Sequence, residues 1–287
     1  MNSPSEQSVL EDLQANATCE GDADLHELFI DEPADVYHAK AGKYLSSHLL
    51  ADFRRCPLLY HRKRCGLVPN VDRKAYLLGR ATHAVILEGL DAFHRAFAVG
   101  GPVNPTTGRP FGKTSKAWAE WAAEHGNNVL DDGEFDQIMR MAKGVNDHKL
   151  ASELLSDGFP EGVVRGDYCG LPCQIRMDWF TPHRALCDLK TCNSIDYFES
   201  DSRRFGYCNQ LAFYVAVLQQ RIGLRMPAYF IAVEKHEPFR CGVWRVSDDV
   251  LDHATRENEA AIERLKGCLE GDEWLTGYEE CRVFDYV

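Results

Sequence analysis

The apolar positions of the chain change their spacing near its middle. From Ser46 to about Arg64, Leu49, Leu50, Phe53, Leu58 and Leu59 recur at helical intervals, and Pro57 marks where that helix breaks or restarts. Ala75 to Ala96 predicts a second helix with Leu78, Val85, Ile86, Leu90 and Phe93 apolar. Gly100 to Gly112, punctuated by Pro102, Pro105, Gly108 and Pro110, reads as a loop, and helices over about 114–125 and 132–155 follow it. Then come three short runs rich in β-formers: Val163 to Cys169, Cys173 to Phe180 and Ala185 to Thr191. Gly170–Pro172 and Thr181–Arg184 separate them, which is the pattern of an antiparallel meander. A helix from about Arg203 to Ile222, strands over Ala228–Val233 and Cys241–Val246, and an amphipathic helix from Val250 to Leu269 complete the series. Helices, three strands, a helix, two strands and a helix predict a single α/β domain over residues 41–287, with a mixed central sheet flanked by helices.

Residues 1–40 break the pattern. They hold ten acids against one base, Lys40, and few aromatics, which predicts a flexible acidic tail. Residues 41–80 are the reverse, with nine bases against Asp52 and Asp72. The whole chain of 287 residues carries a net charge of −12, yet phosphate binding depends on the local field, so this basic stretch keeps nucleic acid available as a ligand. Eleven scattered cysteines, among them Cys169, Cys173, Cys187 and Cys192 in strand-like sequence, read as free thiols of a reducing compartment. No apolar run is long enough to span a membrane, and the first residues lack a basic and then apolar leader, so a cytoplasmic protein that makes no use of a membrane is expected.

The meander carries the chemistry. Its second strand contains Met177-Asp178-Trp179 and its third Asp188-Leu189-Lys190. Side chains alternate along a strand, so Asp188 and Lys190 share a face, and a short turn between the two strands can lay Asp178 beside them. Two carboxylates and an ammonium then converge at the end of a hairpin. Phosphodiester hydrolysis requires such a set: hard oxygen ligands for a divalent cation, and a cation that orients the attacking water or offsets charge on the phosphate. An ordinary Asp/Lys pair on a solvated hairpin would satisfy the tripeptide equally well.

Context favours the first reading. Asp178 followed by Asp188-Leu189-Lys190 resembles the signature of the PD-(D/E)xK nuclease superfamily. Gly79-Arg80-Ala81-Thr82-His83 resembles the G-x-x-x-H helix of its RecB-like branch, and Gln210-Leu211-Ala212-Phe213-Tyr214 resembles that branch's Q-x-x-x-Y helix. Ser46-Ser47-His48-Leu49 with Cys56-Pro57 resembles its opening helix, so four motifs fall in order over about residues 44–235. The chain is most similar to the exonuclease VIII (RecE-type) family of phage and prophage exonucleases. That resemblance implies a restriction-endonuclease-like core. It also implies that His83, Asp178 and Asp188 hold Mg²⁺ or Mn²⁺, that Lys190 is the catalytic lysine, and that Gln210 and Tyr214 line the DNA cleft. An ATP-independent exonuclease acting 5′-to-3′ on linear duplex DNA is implied too, as are a ring-like homo-oligomer and a single-strand annealing protein as recombination partner.

The residues themselves add a basic cluster, Arg54, Arg55, Arg62, Lys63 and Arg64, beside Phe53 and Tyr60, fit for a phosphate track with stacking groups. Arg73, Lys74 and Arg80 precede His83 and could meet an incoming strand. Glu88, five residues beyond His83, should point away from it on a regular helix. Three rivals stay open. An iron–sulfur nuclease would need one early cysteine, Cys56 or Cys65, and a tight later triplet, whereas Cys241, Cys268 and Cys281 are widely spaced. A catalytically silent DNA-binding or assembly protein would be expected to have lost one of Asp178, Asp188 and Lys190. A restriction-type endonuclease would share the same core chemistry.

Overall fold

The computed structural model describes residues 28–69, 74–126, 128–182 and 185–283. Its helices and sheet follow from which way the strand side chains point. In β5 (Ala185–Cys192) Leu186 and Cys192 enter one core, whereas Ala185, Cys187 and Leu189 enter another. In β6 (Ala228–Glu234) Ala228, Phe230 and Ala232 join the first core and Tyr229, Ile231 and Val233 the second. A sheet apolar on both faces must be covered on both. It runs β3 (Phe159–Tyr168), β4 (Leu171–Thr181), β5, β6, β7 (Cys241–Arg245) in that order, with β5 and β6 parallel and the other pairs antiparallel. Two further short strands, β1 (Ala98–Val99) and β2 (Val129–Leu130), pair in parallel apart from it.

The first layer contains α2 (Ser47–Arg55), α3 (Pro57–Arg64), α9 (Phe198–Phe205), α10 (Tyr207–Ile222) and α11 (Asp248–Gly271), which bury Leu50, Phe53, Leu211, Phe213, Leu251 and Ile262 against the sheet. The second contains α4 (Lys74–His83), α5 (Leu90–Ala96), α7 (Asp132–Asp147) and α8 (Lys149–Leu154), burying Phe93, Ile138, Met141 and Leu154. Helix α6 (Lys116–Glu124) packs Trp118 and Ala122 on Val129 in a small third cluster. Truncating a fully buried ring such as Phe53 or Phe213 costs about 3–5 kcal/mol, so these layers hold the site rigid. Among the described residues no helix is long and apolar enough to cross a membrane.

The mixed α/β core is the expected one, and local signals explain where its elements end. Cys56 caps α3, its sulfur accepting from the Leu59 amide at 3.4 Å, with Pro57 at the first helical position, so the break expected at Pro57 is real. A capping box of Asp131 and Glu134 starts α7. His148 caps α8, which splits the helix expected over 132–155. Gly206, at φ 71°, separates α9 from α10. The helix expected from Ala75 to Ala96 is interrupted by a π-turn over Ala84–Glu88 and by Gly89 at φ 88°.

Two expectations need correction. Residues 28–40 are docked on the sheet rather than forming a tail. Ile30 bridges Val163, and Glu32 pairs with Arg165 and Lys40. Tyr37, in α1 (Ala34–Ala39), is buried and exchanges hydrogen bonds with Gln174. Acidic composition misled here because Glu32 bridges to Lys40 and Arg165 while Tyr37 and Ile30 supply the anchors. Residues 1–27 and Arg73 lie outside the described residues. Secondly, β3 begins at Phe159 rather than Val163, which moves Glu161 into the sheet.

Candidate metal centre

Strands β4 and β5 pair over only three positions, Trp179 with Cys187, Phe180 with Leu186 and Thr181 with Ala185. Past that point they part, and a side chain takes over from the ladder. Asp178 Oδ2 accepts from the Leu189 amide at 2.7 Å, so the carboxylate satisfies a backbone donor that the splayed strand leaves open. Across the other ladder, Pro160 faces Trp179 and Gly162 faces Met177, which sets Glu161 opposite Asp178. Glu161 is held there at φ 55°, a left-handed conformation that a non-glycine residue rarely adopts and that clusters at functional sites. His83 closes α4 from the second helical layer, with Nδ1 3.7 Å from Asp178 Oδ1. One ligand atom each from His83, Glu161 and Asp178 lies within 4.8 Å of the others.

Asp188 and Lys190 reach the same gap from the opposite face. Asp188 is 1% exposed, and neither of its carboxylate oxygens has a well-formed hydrogen bond among the described residues; its ionic contact is Lys190 Nζ at 2.5 Å. A buried carboxylate left in that state is costly unless a cation completes it. Lys190 Nζ also lies 5.0 Å from the centre of the Tyr207 ring.

The protonation equilibria follow from crowding. Burial and the charge of Asp178 push Glu161 up to about 8, although the Arg176 guanidinium is 2.8 Å away. Burial pushes Asp188 up to about 7 against the pull of Lys190, and Asp178 adds to the rise. Burial works against the Lys190 ammonium, but Asp188 and Asp178 hold its pKa above the usual lysine value. Burial draws the His83 imidazole below its ordinary value despite Asp178, which leaves a neutral ring, the form that ligates metals. Two oxygen donors and a neutral imidazole suit a divalent cation. A third carboxylate, Asp188, faces the same gap with Lys190 as its ionic contact, so the residues present fit such an ion.

The expected residues divide accordingly. His83 and Asp178 come together as anticipated. Asp188 is not a member of that three-residue cluster; it stands beside it, tied to Lys190. Gln210 lines a small cleft of about 120 Å³ with His48, Arg54 and Tyr207. Tyr214, 4% exposed, offers a DNA strand almost no surface; its hydroxyl accepts from Gln210 at 2.9 Å, and it serves the cleft only by holding that amide. The helix packs Tyr214 into the core between Phe213 and Val215, which is why it does not line a groove. Arg54 donates to Asn258 at 2.7 Å, Arg55 is exposed, and Arg80 sits one turn before His83 with Asn128 at 3.5 Å.

Glu161 was not anticipated. Reading β3 from Val163 left Glu161 outside the strand, and only the hairpin register opposite Asp178 could have found it. His48 was seen only as part of a motif; its imidazole is drawn down by burial, with Lys190 adding to the effect. Glu88 also departs from expectation. The π-turn lengthens the helical repeat, so a residue five beyond His83 returns toward its face, and the charge of Glu88 contributes to the rise at Glu161. The ten described cysteines are free, and among the described residues none gathers into a metal-binding cluster, which gives the iron–sulfur alternative no support.

A half-unzipped strand pair carrying Asp178, Asp188 and Lys190, enclosed between helical layers, is a PD-(D/E)xK-type core. A family model described as a PDDEXK-like domain of unknown function (DUF3799) matches residues 46–286, and the chain belongs to that family. A solved structure from Eubacterium rectale, provisionally described as an exonuclease, shares the fold at 18% identity with a TM-score of 0.66. That likeness covers 90% of this chain and 96% of the other. No curated protein matches the chain by sequence.

Proposed function

We propose that the protein is a metal-dependent, ATP-independent deoxyribonuclease that hydrolyses phosphodiester bonds of linear duplex DNA from an end. The observation that carries this reading is the convergence of His83, Glu161 and Asp178 within 4.8 Å beside the buried Asp188–Lys190 pair. His83, Glu161 and Asp178 would hold Mg²⁺ or Mn²⁺, with Asp188 the nearest further carboxylate. The ion supplies a bound water of lowered pKa and polarises the scissile phosphate.

The chain's own groups do the rest. Lys190 keeps its proton, so it is suited to offset charge that builds on the phosphate rather than to act as a base. Tyr207 beneath Lys190 limits where its ammonium can point. Asp178, fixed by the Leu189 amide, has one oxygen committed to the backbone and the other turned toward His83. Attack from an end in the 5′-to-3′ sense, a ring-like homo-oligomer and a single-strand annealing partner extend the proposal from the RecE-type resemblance. An endonuclease remains the second outcome of the test, because the same core chemistry serves it.

The test follows end-labelled linear duplex beside a closed circle, in Mg²⁺, Mn²⁺ or EDTA, without ATP, with the Lys190→Ala protein alongside. Metal-dependent loss of the linear form alone, abolished in the variant, is expected, and the released label reports polarity. Cutting of the circle turns the assignment to an endonuclease. DNA bound but uncut in both metals sinks the hydrolytic reading in favour of a silent binding protein.

A further inference from the structure

A second basic region lies away from the metal centre. Residues 272–283 fold back over α2, α3 and the end of α11 as a strap. The Leu58 amide donates to the Leu275 carbonyl at 3.0 Å, and the Trp274 indole stacks on His61 at 4.4 Å. The Glu279 carboxylate accepts from the Thr276 and Gly277 amides, fixing the turn from which Tyr278 projects. Between strap and helices is a cleft of about 590 Å³, as large as many ligand sites.

Its lining is unusual for a chain of net charge −12: Arg54, Arg55, Arg264 and Arg282 face it with a single carboxylate, Glu273. Arg55, Arg264 and Arg282 have no carboxylate partner within ion-pair distance among the described residues. Instead the Arg264 guanidinium lies 5.9 Å from the Phe53 ring, and that of Arg282 lies 4.1 Å from the Tyr278 ring. Tyr278 itself is 73% exposed. Guanidinium groups without carboxylates beside an exposed aromatic ring match what a single nucleic-acid strand offers, phosphates along its edge and bases to stack.

A chain of residues leads from the cleft toward the metal centre. Arg54 lines both it and the small cleft that contains His48, Tyr207 and Gln210, and Tyr207 lies under Lys190. Arg54 is thus shared by two clefts, one under the strap and one that reaches Tyr207 beside Lys190.

We propose that the cleft beneath the strap is a second subsite for single-stranded DNA, where Arg264, Arg282 and Tyr278 hold backbone and base some nucleotides from the bond being cut. This rests on the nuclease reading for its purpose but not for its test, which measures binding alone. The subsite keeps one strand engaged between successive cuts and makes affinity depend on length, because a short oligonucleotide cannot reach both the strap cleft and the metal centre.

The experiment measures fluorescence anisotropy of oligothymidylates of about 4 and about 20 nucleotides in EDTA. The full chain is compared with Arg264→Gln/Arg282→Gln and with Tyr278→Ala, and melting curves confirm that each variant is folded. The longer strand is expected to bind the wild type at least about tenfold more tightly than the shorter, and the double variant to lose most of that advantage. Its salt dependence should flatten by a slope of about 1.4, the share of two phosphate contacts on a single strand. Tyr278→Ala should lower affinity for the longer strand with the salt slope unchanged, since it removes stacking and no charge. An undiminished length advantage in both folded variants overturns the proposal. So does displacement of the longer strand by millimolar inorganic phosphate as readily from wild type as from the double variant at matched salt, which would place the competed contacts away from Arg264 and Arg282. Absence of cleavage in the nuclease assay, by contrast, leaves the binding result standing and removes only the catalytic assignment.

Discussion

Two ionic clusters of the sheet use the same residue types in opposite ways. At the edge, Glu234 and Asp196 share the Arg240 guanidinium at 2.7 and 2.9 Å, and Glu234 also accepts from the Ile195 amide at 2.8 Å. Those hydrogen bonds, from Arg240 first, hold Glu234 down at about 2. Around the gap between β4 and β5, Glu161 and Asp188 are pushed up to about 8 and about 7 by burial, with the charge of Asp178 adding to both. The first cluster is satisfied and stabilises the fold. The second is deficient in positive charge and costs stability, which is the arrangement expected where a cation is to be bound and where strain is tolerated for function.

The largest expected effect is kinetic. Lys190→Ala should slow single-turnover cleavage by about 10³-fold at saturating metal, because its ammonium acts on developing charge, and should lower the melting temperature of the metal-free protein as well, because it leaves the buried Asp188 without its ion pair. Next, Glu161→Gln should weaken Mn²⁺ binding by about 10- to 100-fold in a calorimetric titration; unaltered affinity would remove Glu161 from the ligand set.

The same substitution should stabilise the metal-free protein, by about 2–6 °C at pH 8. An unfolded glutamate ionises near 4.5 and the folded one near 8, so the penalty builds between those values and is constant above them. Wild type and variant should therefore melt together at pH 4.5 and diverge as pH rises. Glu234→Gln should do the reverse, lowering the melting temperature by a few degrees at pH 7. Its folded value lies below its unfolded one, so that difference should be present above 4.5 and fade as pH falls toward 2. Smallest of all, Glu88→Gln should lower the Glu161 titration midpoint by less than about one unit, since Glu88 is exposed and its field is screened.

Much of this could be read from the chain because period and punctuation agree. The alternation of Leu186, Asp188 and Lys190 against Cys187 and Leu189 predicts the strand and sets Asp188 and Lys190 on one face. Pro57 with its cap gave a helix boundary. What stayed hidden depends on register and on deviations from ideal geometry. Pro160-Glu161-Gly162 does not resemble a strand, and only its pairing with Trp179 and Met177 places Glu161 opposite Asp178. A π-turn leaves no mark in hydrophobic spacing, so the return of Glu88 toward His83 could not be counted out. The strap was missed because residues 272–283 carry no periodic pattern. They are held by single anchors such as Trp274 rather than by an apolar face.

The carboxylate of Asp178 stands in for a missing rung of the sheet, and this gives the Leu189 amide a double allegiance. Its hydrogen is shielded from solvent by a side chain that belongs to the reaction centre, whereas its neighbours across the short pairing at Trp179–Thr181 are shielded by backbone. Deuterium uptake at that one amide is therefore tied to the state of the metal centre. Any event that draws Asp178 away from β5 frees the rung, and a single backbone position inside the sheet becomes a built-in gauge of occupancy.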